Sequence, residues 1–129
     1  MEVDGINIAL ENKICQLNVF VDKGEEEQEF LKYMSSSKSV RWTSWFTDII
    51  AKDGGKDVGI KKLAAYYGID IKETMAFGDG GNDMDMLKSV ALGVAMGNAR
   101  DDVKKVADYI TDTVDNDGIE KALKYFKII

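Results

Sequence analysis

From Lys52 onward, apolar residues trade between helical spacing and short continuous runs, and that alternation constrains the fold more than any other feature of the chain. Ile60, Leu63, Ala64 and Tyr67 mark one helical face, and Gly68 supplies its stop. "TMAF" reads as a short buried strand, residues 82–90 as a helix and "ALGVAM" as a second strand. Ala99, Val103, Val106 and Ala107 line the next helix, "YIT" is a third strand, and Ile119, Ala122, Leu123 and Phe126 stripe a last helix. Strand and helix in strict alternation require right-handed crossovers and a parallel sheet, so this half is of the α/β class.

The first fifty residues follow another pattern. "ICQLNVFV" places Cys15, Leu17, Val19 and Val21 on one face and Gln16 and Asn18 on the other, as a half-buried strand does. "GEEEQEFLKYM" predicts a short helix, its glutamates favourable at the positive N-terminus and Phe30, Leu31 and Met34 on its buried side. The β-branched and aromatic "SVRWTSWFTDIIA" predicts two antiparallel strands that turn around Thr43 and Ser44. "EVDGINIAL" reads as a further strand, and "KDGGK" as the hinge between the halves.

The "TMAF" strand ends in "GDGGNDMDML", where three carboxylates follow within eight residues. Ligands of open parallel sheets gather beyond such strand ends. Turn and cap chemistry alone can place Asp, Gly and Asn in a βα loop. Charge argues for more, because Asp79 and Asp83 lie within one turn's reach and each raises the other's pKa unless a cation neutralises them. Oxygen-only ligands suit Mg²⁺. A net charge of −6 disfavours nucleic acid and anionic membranes as partners. The absence of histidine removes His-based triads and the usual zinc sites. Cys15, the one cysteine, has no disulfide or redox partner and reads as core. No leader-like or membrane-spanning stretch is evident, which predicts a cytoplasmic protein. Lys56 opens the helix after two glycines, a suitable start for gripping a phosphoryl oxygen, although a solvated lysine there is also ordinary. "GGKD" lacks the spacing and hydroxyl of a P-loop, and "GDGGND" lacks the third glycine of a dinucleotide fingerprint.

The ordered string "GGKDVGIKKL", "GDGGNDMDML", "ALGVAMGNARDDVKKVADYIT" and "DNDGIEKAL" resembles the haloacid dehalogenase (HAD) superfamily, specifically its Cof-type sugar-phosphate phosphatases. The resemblance runs from about Ser39 to Phe126. It implies that residues 53–129 are the C-terminal half of a Rossmann-like core and residues 1–52 a partial α+β cap. It further implies that Lys56 stabilises phosphate, Asp79 binds Mg²⁺ directly, Asp83 acts through a water of the metal, Asn82 orients the phosphate site and Asn98 lines the substrate. The substrate would be a small phosphorylated metabolite, attacked by an aspartate of a DxDGT segment to give an aspartyl-phosphate.

No DxDGT segment occurs in the chain, so the resemblance predicts an incomplete site, weak millimolar-type Mg²⁺ binding and no activity of the chain alone. Asp115, in "VDNDGI", is the one candidate for a permuted nucleophile, but Ile119 stands where the motif needs a hydroxyl. Two other readings compete. P-type cation ATPases carry a similar GDGxND loop, although Met84, Asp85 and Met86 replace their usual Ala-Pro-Ala; a noncatalytic or split-protein binding module is the third reading. Trp42, Trp45 and Phe46 could line a substrate pocket or pack together. One edge of the "TMAF" strand should lack a neighbour, inviting self-association.

Overall fold

The structure, a computed structural model, describes residues 7, 10–22 and 24–129. Three short strands build an antiparallel sheet: β1 (Gln16–Val19), β2 (Ser37–Val40) and β3 (Thr47–Ala51), with β3 in the centre. Leu17 lies opposite Ile49 on one side of β3, and Ser39 lies opposite Ile49 on the other. Helix α1 (Glu25–Lys32) connects β1 to β2. Its acidic first turn faces the positive end of its backbone dipole, as expected. The hairpin of β2 and β3 forms where the β-branched residues predict it, with residues 41–46 as its loop.

Beyond the glycine pair 54–55 the alternation becomes a parallel sheet in the order β4 (Met75–Gly78), β5 (Leu92–Ala95) and β6 (Tyr109–Ile110). Helix α2 (Lys56–Tyr67) precedes β4, α3 (Met84–Ser89) joins β4 to β5, α4 (Asp101–Lys104) joins β5 to β6, and α5 (Gly118–Tyr125) follows. Gly68 ends α2 in the left-handed conformation, φ 68°, which costs glycine nothing. The core gathers Ala76, Leu87, Ala95, Ala99 and Val103, with Ile60, Met84 and Val90 packed against them. All of these residues belong to the parallel half, which is the mixed α/β architecture the alternation demands.

Several expectations need correction. Cys15 is exposed rather than core, and its strand is not half-buried: Gln16, Leu17 and Asn18 are exposed and only Val19 is partly buried, because β1 is an outer strand with β3 as its neighbour among the described residues. Leu63 and Tyr67 on α2 and Ile119 on α5 belong to predicted apolar stripes yet are exposed. A sheet of three strands is too narrow to cover the full width of the helices beside it. The strand expected for "EVDGINIAL" lies outside the described residues apart from Asn7 and Leu10, both of which are helical. Among the described residues β4 has β5 as its only strand neighbour, as expected for the sheet edge. No helix of the described residues is long and apolar enough to cross a membrane.

Candidate active site

Strand β4 stops at Gly78, and the chain turns at once into a short 3₁₀ segment, Gly81–Asp83, and then into α3. Gly78 is needed for space: a Cβ there would fall 2.5 Å from the Cβ of Asp83. That closeness lets the Asp83 carboxylate fold back under the strand end. Its Oδ2 accepts the backbone N–H groups of Asp79 at 3.1 Å and Gly80 at 3.0 Å. Its Oδ1 accepts the Nζ of Lys56, the first residue of α2. The carboxylate is buried, whereas the lysine side chain is half exposed. Burial pushes the Asp83 pKa up, but the Lys56 hydrogen bond and the two amides outweigh it and hold the group below its ordinary value.

Asp79 is placed differently. It stands exposed at the end of the strand, and its Oδ2 accepts the side-chain amide of Asn98 at 3.1 Å. Asn98 is itself fixed, since its Oδ1 accepts the backbone N–H of Val114 at 3.2 Å. Lys56, Asp79, Asp83 and Asn98 thus come together and, with Phe77, Met86 and Met96, line a cleft of about 490 Å³. Asn82 lies elsewhere. It lines a second cleft of about 420 Å³, roofed by Gln16, Lys38 and Asp48 of the antiparallel sheet, and Lys56 borders both.

Among the described residues, no three His, Cys, Asp or Glu side chains cluster as a metal cage. The donors present still fit one wall of a Mg²⁺ site, since that ion takes one or two carboxylates and keeps several waters. Asp79 offers an exposed carboxylate, while both oxygens of Asp83 are already engaged by internal donors. Asp115 is exposed and does not line the cleft at Asp79. Trp42 and Phe46 pack with Phe20, Phe46 meeting Trp42 edge-on at 5.2 Å and Phe20 at 5.5 Å, whereas Trp45 is exposed. None of Trp42, Trp45 and Phe46 lines either cleft.

One buried charged group escaped the sequence reading. Glu27 of α1 is 7% exposed and accepts Arg41 Nε at 3.1 Å, Arg41 Nη2 at 2.9 Å and the Ser39 hydroxyl. Its signal was present, because Glu27 precedes Phe30, Leu31 and Met34 by three, four and seven positions and so shares their helical face.

The parallel sheet thus carries a carboxylate at one strand end and a lysine at the facing helix start. The family model for haloacid dehalogenase-like hydrolases matches residues 2–123, and the chain belongs to that family. It is 42% identical over 112 residues to YkrA of Bacillus subtilis, a candidate phosphatase by name, covering 87% of this chain and 43% of that one. A solved phosphatase of the superfamily from Bacteroides thetaiotaomicron superposes with a TM-score of 0.92 at 43% identity, over 98% of this chain and 47% of that one. A solved sugar phosphatase of HAD subclass IIB does so with a TM-score of 0.87 at 45% identity, over 95% of this chain and 47% of that one. The chain therefore spans slightly less than half the length of these relatives.

Proposed function

We propose that the chain forms the lysine- and carboxylate-bearing part of a Mg²⁺-dependent, Cof-type phosphohydrolase that acts on small phosphorylated metabolites of the sugar-phosphate type. The sugar-phosphatase relative supports the substrate class. The observation that carries the reading is the convergence of Lys56, Asp79, Asp83 and Asn98 on one cleft at the carboxyl end of β4. Mg²⁺, when bound, supplies charge neutralisation for the transferring phosphoryl group. Asp79 would hold it directly. Asp83 anchors the Lys56 ammonium and braces the Asp79–Gly80 backbone, and it would meet the ion through water. Lys56 draws an anionic phosphoryl oxygen towards the strand end and Asn98 orients the Asp79 carboxylate; Asn82, in the neighbouring cleft that Lys56 also borders, would orient the phosphate from that side.

The nucleophilic aspartate that would form an aspartyl-phosphate belongs to a DxDGT segment that these 129 residues do not contain. We therefore expect the chain alone to bind Mg²⁺ weakly and to turn over no phosphomonoester. The test is a Mg²⁺ titration of the ¹⁵N-labelled chain beside Asp79→Asn, with a phosphomonoester assay in parallel. Saturable shifts at residues 79–83 and 98 in the parent, lost in Asp79→Asn, are expected; their absence removes the metal assignment. Robust turnover by the chain alone, abolished by Asp79→Asn, would show instead that its own residues supply the nucleophile.

A further inference from the structure

The hairpin loop between β2 and β3 touches the acidic loop at Gly81. A Cβ on Gly81 would fall 2.5 Å from the carbonyl oxygen of Arg41 and 3.8 Å from the Cα of Trp42. The first distance is closer than a real Cβ tolerates, and the obstacle is backbone, which cannot swing aside. Gly81 does not have positive φ, so an alanine there suits its own conformation and is excluded only by this neighbour. The glycine is a notch that admits the Arg41–Trp42 backbone.

The Arg41 side chain holds that backbone in shape. Its guanidinium forks onto the buried Glu27 of α1 and also donates to the carbonyls of Val21 at 2.9 Å and Ser44 at 3.2 Å. One planar cation thus ties α1, the segment after β1 and the hairpin loop to a single point. Ser39 completes the satisfaction of Glu27. On the other side of the contact, Gly81 belongs to the same 3₁₀ turn as Asp83, which holds Lys56. Where the antiparallel sheet sits is therefore felt directly by the turn that carries the site.

We propose that the Arg41–Trp42 backbone seated in the Gly81 notch is the latch that closes the antiparallel sheet over the acidic loop, with Glu27–Arg41 as the brace that keeps the latch in shape. Arg41 and Glu27 are positioning residues: they touch the site only through Gly81. Gly55, immediately before α2, adopts φ 126°, a conformation that side chains resist, so the junction between the two sheets has a backbone shape that glycine sets. The cleft of about 420 Å³ is lined from both sides of this contact, by Gln16, Lys38 and Asp48 of the antiparallel sheet and by Gly81 and Asn82 of the acidic loop. None of this depends on the reaction being phosphate hydrolysis.

The experiment is NMR on the 129-residue chain, without substrate. Residual dipolar couplings from the antiparallel and parallel sheets should fit one common orientation in the parent, with an Hα–Hα cross-peak between Gly81 and Trp42. In Gly81→Ala each sheet should still fit by itself while the common fit fails; a preserved common fit overturns the latch. In Glu27→Gln, which keeps the shape and removes the charge, the same decoupling with an intact antiparallel sheet is expected. An intact common fit there rejects the brace, and so does loss of the antiparallel sheet itself, since the pair would then serve only general stability.

Discussion

Asn98 spans the gap between two chain segments, donating to Asp79 Oδ2 at 3.1 Å and accepting from the Val114 backbone at 3.2 Å. It fixes a carboxylate that is otherwise exposed, and outer partners of this kind commonly change metal affinity by about 10-fold or more. Asn98→Ala should therefore weaken the Mg²⁺ response of the Asp79 loop by about 10-fold while leaving thermal stability nearly unchanged. A Mg²⁺ titration followed by NMR, beside a melting curve, checks both halves. An unchanged response would mean that Asp79 is oriented by the strand alone.

Acid should weaken the fold partly through Asp83. Its pKa is held below the ordinary 3.8 because the Lys56 and amide hydrogen bonds overcome the opposing effect of burial. A carboxyl depressed in the folded state stabilises the fold above its unfolded value, and that contribution is lost as pH falls through the lower folded value. Asp83→Asn should lower stability at pH 7 and flatten its decline below about pH 4. Urea denaturation of both proteins from pH 7 to pH 2 measures the difference in slope.

Asp112 titrates in the same direction at a separate place. The Lys121 ammonium, the Thr113 amide and the Asn116 side chain hold its pKa down to about 2. Lys121 Nζ lies 2.6 Å from its Oδ2, which pins the loop after β6 to α5. NMR of the Asp112 carboxyl carbon should show a midpoint near 2 that rises towards 3.8 in Lys121→Met. An unmoved midpoint would assign the depression to the Thr113 amide and the Asn116 side chain instead.

Thr47, in the central strand of the antiparallel sheet, is fully buried, and its hydroxyl has no hydrogen-bond partner among the described residues. A buried hydroxyl without a partner costs about 1–3 kcal/mol. Valine has nearly the same shape and a strong preference for strands. Thr47→Val should stabilise the protein by about 1 kcal/mol, raising Tm by about 4 °C. A lower Tm would show that the hydroxyl is hydrogen-bonded in solution.

Much of the parallel half was legible because it is local. Helical spacing from Ile60 to Ala64, the stop at Gly68 and the apolar run ending at Gly78 each depend on neighbours a few residues away. Those patterns placed Lys56 at a helix start and Asp79 at a strand end, where the structure finds them. The antiparallel half was read less well. Alternation gave β1 the correct type, but not its burial, since Cys15 and Leu17 of the predicted inner face are exposed.

By itself, then, the sequence determined the strands and helices of the parallel half and which end of its sheet carries the charge, because periodicity and turn chemistry act over a handful of residues. Only the tertiary structure decided that Glu27 is buried against Arg41, fourteen positions away, and that Asn82 lines a different cleft from Asp79. It alone brought the Arg41 carbonyl down onto Gly81. Such contacts join groups distant in the chain, and their geometry is set by how whole layers pack, which no local pattern encodes.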